Sequence, residues 1–191
     1  MTYRHRAATQ DDLPAIVDIY NAAVRDRTST ADLDPVTVES RRAWFAEAKH
    51  PTWVGYHPDD PATVTGYLSF EPFLNGRRGY DVTLDVAIYL HPSHQGRGQG
   101  RDLLRAAIAH APTLGARTLA TTIFASNEPS LRLFRANGFE EWGRLPAVAD
   151  LDGLVKDLVI VGRPLQIPTP SGHVTGISAE SVSRSLRRAR W

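Results

Sequence analysis

The chain has 191 residues, 42% of them hydrophobic, with 22 basic and 21 acidic side chains and a formal charge of +1. This is the balance of an ordinary soluble globular protein, long enough to bury a core of its own. With no cysteine, disulfides, thiolate metal sites and a cysteinyl acyl intermediate are excluded. No apolar run reaches the length of a bilayer span and the opening MTYRHRAATQDD lacks a signal-peptide core, so the expected setting is cytoplasmic, with no membrane partner.

In chain order, Tyr3 to Ala7 reads as a first strand. Thr9 begins a helix, with Asp12 three residues on in a capping arrangement, and Leu13, Ile16, Val17, Tyr20, Ala23 and Val24 recur at helical spacing. Arg27 to Leu33 (RTSTADL) is polar and irregular. Asp34-Pro35 then predicts a second helix through about Ala48, with Val38 and Phe45 as buried positions. Trp53–His57 and Val64–Phe70 read as a hairpin joined by HPDDPAT, followed by a loop, Glu71 to Gly79, that carries Arg77 and Arg78.

From Thr83 to Leu90 the side chains alternate. Leu84, Val86, Ile88 and Leu90 share an apolar face, while Thr83, Asp85, Ala87 and Tyr89 share the other. His91-Pro92 stops this strand, QGRGQG (95–100) follows, and a helix opens at once with Leu103, Leu104, Ala107, Ile108 and Ala111 on one stripe, to end near Pro112 and Gly115. Arg117–Phe124 is another strand. Ser126-Asn127 caps a helix bearing Leu131 and Phe134, which Asn137-Gly138 ends, and Glu140–Leu145 and Leu154–Val161 complete the pattern. The order predicts an α/β sandwich around one mixed sheet. It fills residues 1–166; residues 167–191 form a basic Pro/Ser/Arg-rich tail, with four arginines against one glutamate, expected to be peripheral or disordered.

The stretch from Thr83 to Gly115 carries the chemistry. A strand feeding a glycine-rich turn that opens a helix makes an anion site, because unpaired amides converge there with the positive end of the helix dipole. Taken alone the hexamer is also compatible with a plain surface turn; its place between this strand and this helix favours a phosphate cradle. The spacing of Gly96, Gly98 and Gly100 does not fit the dinucleotide fingerprint, and no Gly-Lys-Ser/Thr follows. His91 and His94 are a close pair without a nearby third ligand, so no metal site is expected.

What the spacing does fit is Gln/Arg-x-x-Gly-x-Gly/Ala, through Gln95, Gly98 and Gly100. On this motif the chain resembles the GNAT superfamily of acetyl-CoA dependent N-acetyltransferases. Within it the likeness is to the phosphinothricin and methionine sulfoximine acetyltransferases, carried by AIVDIYNAAV and STADLDPVTVESRRAWF, YLSFEPF, YDVTLDVAIYLHPSHQGRGQGRDLL and SNEPSLRLFRANGF. The resemblance implies a mostly antiparallel central sheet flanked by helices and splayed at its central strand. It implies acetyl-CoA as donor, direct transfer to the amino group of a small amino acid or analogue, and a homodimer.

The resemblance also implies roles for particular residues. A substrate ammonium must lose a proton before it attacks, and Asp85 stands where the family has a glutamate, as base or as ammonium anchor; an aspartate tying up a neighbouring loop is the alternative, and the place of Asp85 on the polar face of an otherwise apolar strand favours the functional role. Backbone amides near Ile88, Tyr89 and Leu90 face the thioester oxygen. Gln95, Gly96, Arg97, Gly98, Gln99 and Gly100 hold the diphosphate, and Asn127 and Ser130 contact the cofactor arm or simply cap the helix. Thr30, Phe73, Arg77, Arg78 and Tyr80 are expected around the acceptor, the arginines taking its oxyanion. Phe134 replaces the tyrosine or histidine that could protonate the leaving thiolate, and Val155 replaces a tryptophan. Acetylation of a protein or peptide, a CoA-binding regulatory module without catalysis, and nucleic-acid contact by the tail are the competing readings.

Overall fold

The computed structural model describes residues 3–165; the expected tail and Gln166 lie outside them. Seven strands form one sheet, β1 (Arg4–Ala7), β2 (Thr52–His57), β3 (Asp60–Pro72), β4 (Thr83–Leu90), β5 (Thr118–Phe124), β6 (Glu140–Leu151) and β7 (Leu154–Pro164), in the order β1-β2-β3-β4-β5-β7-β6. Every pair is antiparallel except β4 with β5. The helices are α1 (Leu13–Asp26), α2 (Val38–Ala46), α3 (Gln99–His110) and α4 (Glu128–Ala136).

The alternation in β4 divides the core as its sequence demands. Leu84 and Val86 are buried with Leu103 and Leu104 of α3, Leu131 and Phe134 of α4, and Val159 and Val161 of β7. On the opposite face Val54 and Tyr67 meet Ile16 and Ile19 of α1, with Tyr89 against them. Asp85 therefore faces the α1 side, away from the larger core.

The first helical turn starts as expected. Thr9 N–H donates to Asp12 Oδ2 at 2.8 Å, and the same carboxylate pairs with Arg6 at 2.7 and 2.8 Å. The second helix begins later than Asp34-Pro35. Asn21 exchanges two hydrogen bonds with the Val36 backbone (2.8 and 2.9 Å) and holds that segment extended, so Thr37 and Ser40 form the cap and α2 starts at Val38. None of its residues is fully buried, Val38 and Phe45 included. Two hairpins are longer than expected. Pro58-Asp59 alone turns β2 into β3. Asp152 and Gly153, both at positive φ (57° and 88°), turn β6 into β7, the conformation that an Asp-Gly pair favours.

Candidate active site

The parallel pairing of β4 with β5 covers only Thr83 with Thr118, Leu84 with Leu119 and Asp85 with Ala120. Beyond Asp85, β5 continues alongside β7 and β4 alongside β3, so the sheet splays and the β5-side edge of Val86 to Leu90 has no strand partner. Two clefts meet at this opening. One, about 700 Å³, runs past Leu90, Gly96, Gly98, Gly100 and Arg101. The other, about 420 Å³, is walled by Glu71, Asp85, Thr121 and Val148. Ile88, Tyr89, Asn127, Ser130 and Phe134 line both.

The first cleft fits a diphosphate. Gly96 and Gly98 have φ of 72° and 90°, where a side chain would be strained, and Gly98 is the N-cap of α3. The first intrahelical bond runs from Asp102 N–H to the Gly98 carbonyl at 3.1 Å, so helix geometry leaves the amides of Gln99, Gly100 and Arg101 without a partner at the positive end of the dipole. A Cβ on Gly96 would meet nothing within 4 Å, which leaves the loop open to a ligand. Gln95 lines this cleft, its side-chain amide 3.4 Å from the Leu90 carbonyl, whereas Arg97 is exposed and outside the lining. Only the backbone of Gln99 is available there. Its side chain is fully buried in the sheet, donating to Thr65 Oγ1 at 2.6 Å and filling the slot left by Gly55.

Asn127 accepts from Ser130 N–H at 3.2 Å and donates to the Thr28 carbonyl and Ser29 hydroxyl at 3.1 and 3.2 Å. It thus caps α4 and ties the 27–33 loop across the opening, a second tie being Arg27 to Asp152 at 2.6 Å. Phe134 is buried edge-on against Phe139, 4.9 Å between centroids. His91 spends Nδ1 on the Ser93 hydroxyl at 2.7 Å, as a turn residue.

In the second cleft, burial pushes the Asp85 carboxyl up to about 6, opposed by a hydrogen bond with Thr121 and helped by the neighbouring charge of Glu71. Glu71 is its direct cross-strand partner on β3, and Trp44 Nε1 donates to Glu71 Oε1 at 3.0 Å. Glu71 and Trp44 were not legible as site residues, although period-two alternation from Tyr67 through Ser69 puts Glu71 on the face of Asp85. Thr30 lines this cleft and bonds the Tyr20 hydroxyl at 2.8 Å. Phe73, Arg77, Arg78 and Tyr80 lie on the loop into β4, where Phe73 and Tyr80 touch edge to face at 6.1 Å. None of the four lines either cleft, and both arginines are exposed.

Residues 14–139 match the acetyltransferase (GNAT) family. Over 162 residues the chain is 43% identical to YwnH of Bacillus subtilis, named as a candidate phosphinothricin acetyltransferase, across 84% of this chain and 98% of that protein. It is 33% identical over 162 residues to the L-methionine sulfoximine/L-methionine sulfone acetyltransferase of Pseudomonas aeruginosa, across 82% and 91%. The solved structure of a phosphinothricin acetyltransferase from Sinorhizobium meliloti in complex with acetyl-CoA aligns with a TM-score of 0.81 at 28% identity, covering 95% of this chain and 98% of that one. With its splayed sheet and glycine-loop cleft, the chain belongs to the GNAT family of acetyltransferases.

Proposed function

We propose that this chain transfers the acetyl group of acetyl-CoA to the amino group of a small amino acid or analogue, of methionine sulfoximine or phosphinothricin type, directly within a ternary complex. The observation that carries the reading is the splay at Asp85, which sets a carboxylate where the glycine-loop cleft joins the acidic one. Acetyl-CoA supplies an activated thioester carbon. The amides from Gly96 to Arg101 hold its diphosphate, and the unpaired β4 edge near Ile88 to Leu90 offers donors for the thioester oxygen.

Asp85 takes the proton that the acceptor ammonium must lose. A carboxyl at about 6 is ionised at neutral pH yet basic enough to accept a proton, the compromise expected of a general base. Glu71 holds the ammonium from the facing strand. Phe134 offers no proton, so the thiolate leaves either unprotonated or with a proton from water. The protein works in the cytoplasm, and as a homodimer through the β6–β7 hairpin, where Trp142, Leu145, Val148, Leu154 and Val155 are all exposed.

A second reading, transfer to a peptide N-terminus, is favoured by the two carboxylates of the acceptor cleft. Thiol release from acetyl-CoA against amino acids, sulfoximines, phosphinates and peptides separates the two. Turnover is expected with the first three classes, with initial-rate lines that intersect; turnover with peptides alone, or parallel lines, would overturn the proposal.

A further inference from the structure

An amino acid carries its carboxylate within roughly 3–4 Å of its ammonium nitrogen, so a site that holds one charge must answer the other nearby. The 420 Å³ cleft holds Glu71 and Asp85 but, among the described residues, has no arginine or lysine in its wall. The exposed Arg77 and Arg78 lie outside it.

A smaller hollow of about 140 Å³ adjoins that cleft across Glu71, Ala87 and Tyr89, which line both. Its volume is the share of about five water molecules, suited to a compact polar group. Arg41 of α2 lines it and, among the described residues, is the only basic one to do so. The guanidinium carbon stands 4.7 Å over the Tyr20 ring and 5.7 Å from the Trp44 ring. Stacking of this kind holds a guanidinium flat and leaves its in-plane donors free to grip an oxyanion. Its one charged contact among the described residues is Asp32 at 3.5 Å, and that same oxygen already accepts from the Tyr20 hydroxyl at 2.7 Å. Trp44 also fixes Glu71, so α2 joins the cation to the anion next to it.

We infer that Arg41 is the specificity-determining residue of this site: it receives the carboxylate of the acceptor, while the acceptor ammonium lies between Glu71 and Asp85. The inference rests on the amine-acetylation reading and assigns to α2 a role expected of the Arg77-Arg78 loop. It makes a free amino acid the preferred acceptor over the same molecule with its carboxylate masked or removed.

The test compares L-methionine sulfone, its amide, and the matching amine without the carboxylate, in the wild-type chain, Arg41→Gln, Arg41→Lys and the double variant Arg77→Gln/Arg78→Gln. Acetyl-CoA binding shows that each variant is folded. The wild type is expected to prefer the acid at least tenfold in kcat/KM. Arg41→Gln should lose roughly 10- to 100-fold on the acid, through KM, and little on the amide or amine, with Arg41→Lys recovering part. An acid-to-amide ratio unchanged in an Arg41→Gln protein that binds acetyl-CoA would overturn the inference, as would a ratio that moves only in the double variant. Wild-type turnover of the amide but not the acid overturns it while leaving amine acetylation standing. No turnover of any of the three also overturns it, and the phosphinate and peptide arms of the preceding assay then judge the acetylation reading separately.

Discussion

Asp85 combines a structural cost with the chemical role proposed for it. Ionising a carboxyl whose folded pKa is raised from 3.8 to about 6 opposes folding by up to about 3 kcal/mol. The sign follows from proton counting: the folded state keeps the proton longer, so this contribution to stability is full below about 3.8 and is lost as pH rises through about 6. Asp85→Asn should therefore raise the melting temperature at pH 8 relative to wild type and give no gain at pH 4. The same variant should lose roughly 100-fold or more in kcat while still binding acetyl-CoA. In the wild type, kcat/KM should rise as pH passes through about 6, a limb absent from the variant; stopped assays across pH 5 to 8 check it. Asp85 was legible because one acid stood on an alternating strand. Glu71 was not, because Pro72 two residues after Phe70 made the strand seem finished, and Arg41 was not, because α2 buries no residue and so shows no clear inward face.

Short-range chemistry fixed most element boundaries. Asp12 is 8% exposed in its side chain and answers both Arg6 and the Thr9 amide; these hold its pKa below the ordinary value. Asp12→Ala should cost about 1–2 kcal/mol at pH 7. Because the folded pKa is lowered, that difference should shrink as pH falls below about 3.8, as denaturant melts at pH 7 and pH 3 would show. Gly98 is held at φ 90°, so Gly98→Ala should cost about 1 kcal/mol and raise KM for acetyl-CoA at least tenfold, by moving the loop amides, with kcat at saturation changed less. The strand–turn–helix unit around Gly98 could be read directly from its residues. The α2 start could not, since it depends on Asn21, fifteen positions upstream of Val36.

At the scale of the molecule, strand and helix types follow from period and punctuation, but the strand order does not. That β7 inserts between β5 and β6 depends on which edges lie free after the hairpins have formed. The same limit applies to the proposed acceptor pocket, whose cleft draws on β3, β4, β5, α4, β6 and β7 and whose adjoining hollow adds α1 and α2, segments spread from Ile16 to Leu158. The exposed apolar hairpin has its own consequence. Trp142 is 48% and Val155 56% exposed, toward opposite ends of the hairpin, and apolar side chains exposed along its length are what a partner surface would cover. Trp142→Glu/Val155→Glu should convert a dimer into a monomer in sedimentation velocity at micromolar concentration; an unchanged sedimentation coefficient would assign the patch another role.

The measurement that bears most directly on the whole account is a crystal structure of the chain with acetyl-CoA. The diphosphate should lie on the amides between Gly96 and Arg101, with the acyl end in the splay between β4 and β5 beside Asp85. Coenzyme bound away from that turn, or with its acyl end on the far side of β4 from Asp85, would contradict it.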